Sequence, residues 1–267
     1  MKNSRDLILG EVVYIFFIYH IPYSWLFLSN GYDFYVWSHD RWKPAIAAVN
    51  IAGSEIKTSV NARDLGVTLD QCLTMSTHVS NRCKSASFTL KHIGNIRQYL
   101  DQPSTEKLVH AFVSSKLDYC NSLLYGLPDK EISKIQCVQN SAARLVTEAR
   151  RADHITRILC KLHWLPVHKR FIFKILLFTY KILNGLAPCY LAELINLHQL
   201  TRCLHSNNDH LRLQIPVFRT KTYGGRTFLV CAPALWNSLP LDVRSAPLVD
   251  MFKTKLKTFL HVGKTWA

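Results

Sequence analysis

Apolar and polar positions change period several times along the chain, and each change predicts an element. Between residues 45 and 70 the pattern is short and β-branched. Val49-Asn50-Ile51-Ala52 and Glu55-Ile56-Lys57-Thr58 flank Gly53-Ser54, the turn chemistry of a hairpin, and residues 64–70 read as a further strand with Asp at each end. The period then becomes 3.6. Val79, Cys83, Ala86, Leu90 and Ile93 recur at alternating steps of four and three, predicting a helix over 77–97 capped by Ser76 or Thr77. Pro103 opens the next helix, with Leu108, Ala111, Phe112 and Ser115 along one face. A third starts at Asp129 after Pro128, with Ile132, Ile135, Val138, Ala142, Leu145 and Val146 as its stripe.

Pro166 opens a fourth helix that runs to Asn184 and ends on Gly185 as its C′ residue, with Phe171, Ile175, Leu176, Thr179, Ile182 and Leu183 inward. Pro188 starts a short fifth, to about Leu197. Residues 211–215 and 220–230 then read as a small hairpin turning at Gly224-Gly225, followed by a compact turn, or a single helical turn, holding Trp236 as a buried plug. Ser245 caps a last helix over 247–261, with Val249, Phe252, Leu256 and Leu260 inward and Lys253, Lys255 and Lys257 outward. The predicted fold is mainly α, with small β elements at both ends of a helical layout.

The N-terminus departs from this texture. Residues 12–32 carry no formal charge, a stretch long enough to cross a bilayer of ~30 Å as a helix. Against this stand His20 and Pro22 in mid-segment and the polar tips of Tyr14, Tyr19, Tyr23 and Trp25. A secretory signal fits worse, because Lys2 and Arg5 are offset by Asp6 and Glu11 and no small-residue cleavage site follows.

Charge narrows the partners. The 267 residues hold 33 Lys plus Arg against 18 Asp plus Glu, a formal charge of +15, so a polyanion, nucleic acid or an anionic membrane surface, is the expected partner. Residues 1–149 carry fifteen basic and thirteen acidic side chains, whereas 150–267 carry eighteen and five. No acidic residue occurs over 154–192 or 210–241, which directs the search for a nucleic-acid surface to the second half. The polar face of the third helix adds Lys130, Lys134, Gln136, Gln139, Asn140, Arg144 and Arg150, side chains suited to phosphate and sugar contacts and equally to an ordinary solvated face. On the fourth helix Lys169, Arg170, Lys174 and Lys181 recur at near-helical spacing on the face expected to be exposed.

Eight cysteines without a C-x-x-C or regular spacing predict free thiols in a reducing compartment, with Cys83, Cys137 and Cys160 as small hydrophobes in apolar stripes. His198, Cys203, His205 and His210 have the residue types of a zinc site but match no zinc spacing, and no metal or other cofactor is expected. Nucleotidyl transfer needs neighbouring carboxylates for two metal ions, and no Asp-Asp or Asp-x-Asp occurs. Phosphate-loop, dinucleotide, nucleophile-elbow and metalloprotease motifs are also absent, so no enzyme is expected.

Specific strings add to this. Leu65-Gly-Val-Thr-Leu-Asp70, His78-Val79, Leu117-Asp-Tyr-Cys-Asn-Ser-Leu-Leu-Tyr-Gly-Leu-Pro128, Val138-Gln-Asn-Ser-Ala-Ala-Arg-Leu-Val146 and Leu162-His-Trp-Leu-Pro166 follow in order. Phe173-Lys-Ile-Leu176, Tyr180-Lys181, Asn184-Gly185, Leu235-Trp-Asn-Ser-Leu-Pro240 and Phe252-Lys-Thr-Lys-Leu-Lys-Thr-Phe-Leu260 complete the set. The ordered set, over roughly 45–262, resembles the C-terminal part of the reverse transcriptase of LINE-type, non-LTR retrotransposons of the jockey and chicken-repeat kind. The resemblance implies a primer-grip-like hairpin at 50–70, a helical thumb-like bundle within 43–150 and a basic C-terminal extension over 151–267. Residues 1–42 match nothing in that family. The catalytic aspartates of the family's palm and its upstream endonuclease are missing from the chain. Arg157 replaces the Pro usual after His-Ile-Thr, and Leu204-His-Ser-Asn207 resembles an eroded Leu-Arg-Ser-Ser.

The leading expectation is therefore a truncated, catalytically inactive, intracellular (nuclear or cytoplasmic) retrotransposon-like fragment with weak, non-specific RNA or DNA binding. Its candidate contacts are Lys130, Lys134, Arg144, Arg150, Arg151, Lys169, Arg170 and Lys174, acting on phosphates. Trp164 and Trp236 suit base stacking or, as the favoured reading, the core. Two alternatives stay open: a basic protein anchored in a membrane by residues 12–32, and a translated dead element with no selected function.

Overall fold

Three antiparallel hairpins occur among the described residues up to Asp70: β1 (Leu26–Ser29) with β2 (Asp33–Val36), outside the β-branched pattern, then β3 (Ala48–Ile51) with β4 (Ser54–Lys57) and β5 (Asn61–Asp64) with β6 (Val67–Asp70) within it. The computed structural model describes residues 61–70, 72–198, 211–218 and 224–262, together with the backbone of the four strands before Thr58. Ile51 pairs with Ser54, so the connection is 52–53, one residue earlier than Gly53-Ser54. The single strand expected over 64–70 is instead the last residue of β5, a turn and β6, because Leu65 (φ 41°) and Gly66 (φ 82°) both take the left-handed conformation of a two-residue primed turn.

Of residues 12–32, the structure describes only 26–29, and their pairing with β2 replaces helix at that end of the proposed span. No helix among the described residues is long and apolar enough to cross a membrane.

The chain divides into two compact units, residues 1–120 with 127–138 and residues 121–126 with 139–267. In the first, α1 (Ser76–Ile96) packs along β6 with Val79, Ala86 and Ile93 buried at seven-residue steps. Neither Ser76 nor Thr77 caps it. Met75 stands at the cap position with φ 58° and no side-chain bond, while the Asp70 carboxylate accepts the N–H groups of Cys72 (3.1 Å) and Thr74 (2.7 Å) just before it. Asp101 accepts the Ser104 N–H at the start of α2 (Gln102–Val109).

A π-helical turn, His110–Ser114, then joins α2 to α3 (Ser115–Asp118). Through this wider turn Thr105, Val109, Val113 and Leu117 face inward at steps of four, while Ala111, Phe112 and Ser115 of the expected face are exposed. α4 (Asp129–Thr147) runs through both units, its residues up to Val138 in the first and from Gln139 in the second.

In the second unit, α5 (Ile155–Lys161), α6 (Val167–Leu183), α7 (Cys189–Ala192), α8 (Phe228–Asn237), α9 (Leu241–Arg244) and α10 (Val249–Val262) surround an aromatic core. Tyr180 of α6 stacks on Phe252 of α10 at 4.2 Å, and Trp236 of α8 lies 5.9 Å from the same ring. Burying each such side chain contributes about 2–3 kcal/mol. Their polar tips are satisfied: the Tyr180 hydroxyl donates to the Ala246 carbonyl (2.7 Å) and the Trp236 indole N–H to the Leu211 carbonyl (2.8 Å). Asn237 clamps Leu213 through both its backbone N–H and C=O, each at 2.8 Å.

The C-terminal hairpin expected over 211–230 does not form among the described residues. Residues 224–226 make a 3-10 turn, Phe228–Val230 begin α8, and Leu213 bridges Leu197 instead. α8 is apolar almost all round, with seven of its ten residues buried, so it carries no 3.6 period for a sequence reading to detect. Ser245 ends α9 rather than capping α10.

Candidate nucleic-acid interface

The eight cations expected at a nucleic-acid surface divide by exposure and by partner. Lys130 and Lys134 belong to the first unit. Lys130 is exposed, whereas Lys134 is half-buried and holds both carboxylate oxygens of buried Glu131 at 2.9 Å, with the Ser76 hydroxyl as a further donor at 3.3 Å. A buried carboxylate needs that compensation, so the Lys134 head serves the interior.

In the second unit, α6 holds Lys169, Arg170 and Lys174 half-buried rather than on an open face. The Lys169 ammonium donates to the Leu260 carbonyl at 2.6 Å, in the last turn of α10, where the helix dipole and the unpaired carbonyls favour a cation. Lys174 lies over the Phe178 ring at 5.4 Å. Farther along the helix, burial and then the ammonium groups of Lys253 and Lys174 hold the Lys181 pKa below its ordinary value, which marks these three as electrostatic neighbours. Lys253 pairs with Asp250, and Lys255 with Asp242, while Lys257 is exposed. Gln139, expected outward on α4, is buried and donates to the Leu165 carbonyl at 2.8 Å.

The remaining three lie in the last turn of α4 and just after it. The Arg144 guanidinium reaches the Asp153 carbonyl at 3.4 Å, and the Arg150 backbone N–H donates to the Asp153 carboxylate at 2.7 Å, closing a tight turn. This turn exposes the Arg150 and Arg151 side chains. It leads directly into α5, whose exposed face adds Arg157 and Lys161, four residues apart on one helical side. Neither was among the expected contacts, although their i, i+4 spacing within the acid-free stretch after Asp153 was visible in the sequence.

Trp164 and Trp236 are 4% and 1% exposed, which makes them core side chains and removes them as base-stacking platforms. Cys137 and Cys160, expected within apolar stripes, are exposed, and Cys83 is intermediate. His198 is exposed, and Cys203, His205 and His210 lie outside the described residues; no group of three or more metal-ligating side chains occurs among the described residues. No family model matches the chain, and no curated protein or solved structure matches it.

Proposed function

We propose that this chain is a non-catalytic module that binds RNA or DNA weakly through phosphates, in keeping with its resemblance to the C-terminal region of a non-LTR retrotransposon reverse transcriptase. The observation that carries the reading is the exposed group Arg150, Arg151, Arg157 and Lys161, set on a hydrogen-bonded turn and a helix within the half of the chain that holds most of the excess charge. Such a surface neutralises phosphates, a contact that carries no sequence information, so binding is expected to be independent of sequence. The absence of any Asp-Asp or Asp-x-Asp supports the non-catalytic half of the proposal.

Fluorescence anisotropy of a labelled RNA hairpin against the full chain, from 50 to 200 mM KCl, tests it. Four phosphate contacts give a slope of about −3 to −4 in log affinity against log salt. The double variant Arg150→Glu with Arg151→Glu is expected to make that slope shallower by about 2. A slope near zero, or one the double variant leaves unchanged in a folded protein, refutes the reading.

A further inference from the structure

A second concentration of positive charge lies wholly within the first unit, on residues other than those expected at a nucleic-acid surface. Between the β5–β6 turn, α1 and α3 is a cleft of about 610 Å³, a size usual for small-ligand sites. Arg63, Arg82 and Lys116 line it, and among the described residues no carboxylate does. Two of these cations are held by neutral groups. Arg82 donates to the Lys116 carbonyl at 2.9 Å and the Gly66 carbonyl at 3.3 Å, and its guanidinium lies 4.7 Å over the Tyr119 ring. Tyr119 is itself tied to the turn, its hydroxyl donating to the Leu65 carbonyl at 2.6 Å. The Lys116 ammonium donates to the hydroxyls of Thr89 (2.8 Å) and Ser85 (3.1 Å).

These bonds fix the geometry of the two heads without cancelling their charge. A guanidinium has five N–H groups and an ammonium three, so both heads keep donors beyond those bonds. Burial holds the Arg82 pKa below its ordinary value, the Cys120 and Tyr119 side chains partly offset this, and Arg63 adds a like charge as the smallest contribution. Two half-buried cations and a third, exposed one beside dipolar partners are an arrangement that suits an anion with several acceptor oxygens. The Arg82 guanidinium covers the Tyr119 face. Three cationic side chains with no carboxylate among the described lining residues select a multiply charged oxyanion.

We propose that this cleft binds a small phosphorylated ligand carrying two or more negative charges, of the pyrophosphate or sugar-phosphate class, with Arg63, Arg82 and Lys116 as its donors. The site is independent of the RNA binding proposed above. Isothermal titration of inorganic pyrophosphate into the full chain at constant ionic strength tests it. One equivalent is expected to bind. Lys116→Gln and Arg63→Gln each weaken binding by about tenfold or more, the loss expected for one charge-assisted hydrogen bond, while Lys91→Gln on the exposed side of α1 leaves it unchanged. Circular dichroism shows that each variant is folded, and the exposed Arg63 site serves where Lys116→Gln does not fold. Absence of saturable binding, or affinity unchanged from that of the unaltered chain in the folded Arg63→Gln and Lys116→Gln variants, overturns the proposal. Adding the RNA hairpin separates the two sources of phosphate: pyrophosphate retained in its presence supports a free small ligand, and pyrophosphate displaced by it overturns that assignment in favour of a backbone phosphate.

Discussion

Acidification is expected to destabilise the first unit through one histidine. His78 on α1 is 3% exposed, and its Nδ1 accepts the backbone N–H of Thr68 on β6 at 3.1 Å, which places the proton of the neutral ring on Nε2. Burial first, and the neighbouring Arg82 guanidinium second, lower its pKa from 6.5 to about 4. The unfolded chain therefore binds a proton that the folded chain refuses between those two values, and stability rises with pH across that window and falls as pH drops through it. The loss relative to pH 7 is on the order of 2 kcal/mol at pH 5 and 3 kcal/mol at pH 4. Urea unfolding of the full chain followed by circular dichroism at pH 7 and pH 5 reads the effect, and His78→Asn isolates it. The Asn carbonyl replaces Nδ1 as the acceptor for Thr68 but does not titrate, so the variant lacks this part of the acid sensitivity whatever its stability at pH 7. Equal pH 7 to pH 5 losses in the two proteins refute the reasoning.

Tyr180→Phe removes the buried donor to the Ala246 carbonyl and leaves that acceptor unsatisfied, which is expected to cost about 1–3 kcal/mol in urea unfolding; a loss below about 0.5 kcal/mol shows that the bond is replaced. Cys72, Cys137, Cys160 and Cys189 are exposed, whereas burial pushes the Cys231 thiol up to about 12. Iodoacetamide at pH 8, mapped by peptide mass, is expected to label those four at least about a hundredfold faster than Cys231 until the chain is unfolded, because both access and thiolate fraction fall. Labelling of Cys231 in step with Cys137 contradicts the burial of α8.

The sequence by itself determined the long helices. Val79, Ala86 and Ile93 on α1, the stripe of α4 and the inward face of α6 follow the 3.6 period because each packs a single side against its neighbours, and Gly185 ends α6 region with φ 66° as its permissive backbone suggests. Its charge distribution also directed attention to the chain after residue 149. Where burial is not one-sided the pattern fails. α8 is enclosed on nearly every side and loses its period, and through the π turn at His110–Ser114 the buried positions recur at steps of four. The fate of individual cations was decided only by the tertiary structure. Lys169 and Lys174 share the helical spacing that predicts an open basic face, but a carbonyl from α10 and an aromatic ring on the same helix occupy their heads. The charged cleft of the first unit is likewise invisible in sequence, because Arg63, Arg82 and Lys116 come from β5, α1 and α3 and are brought together only when the turn at Leu65-Gly66 folds β6 back against α1. Periodicity records which side of an element is buried, and long-range contacts decide which polar groups its neighbours bring to meet it.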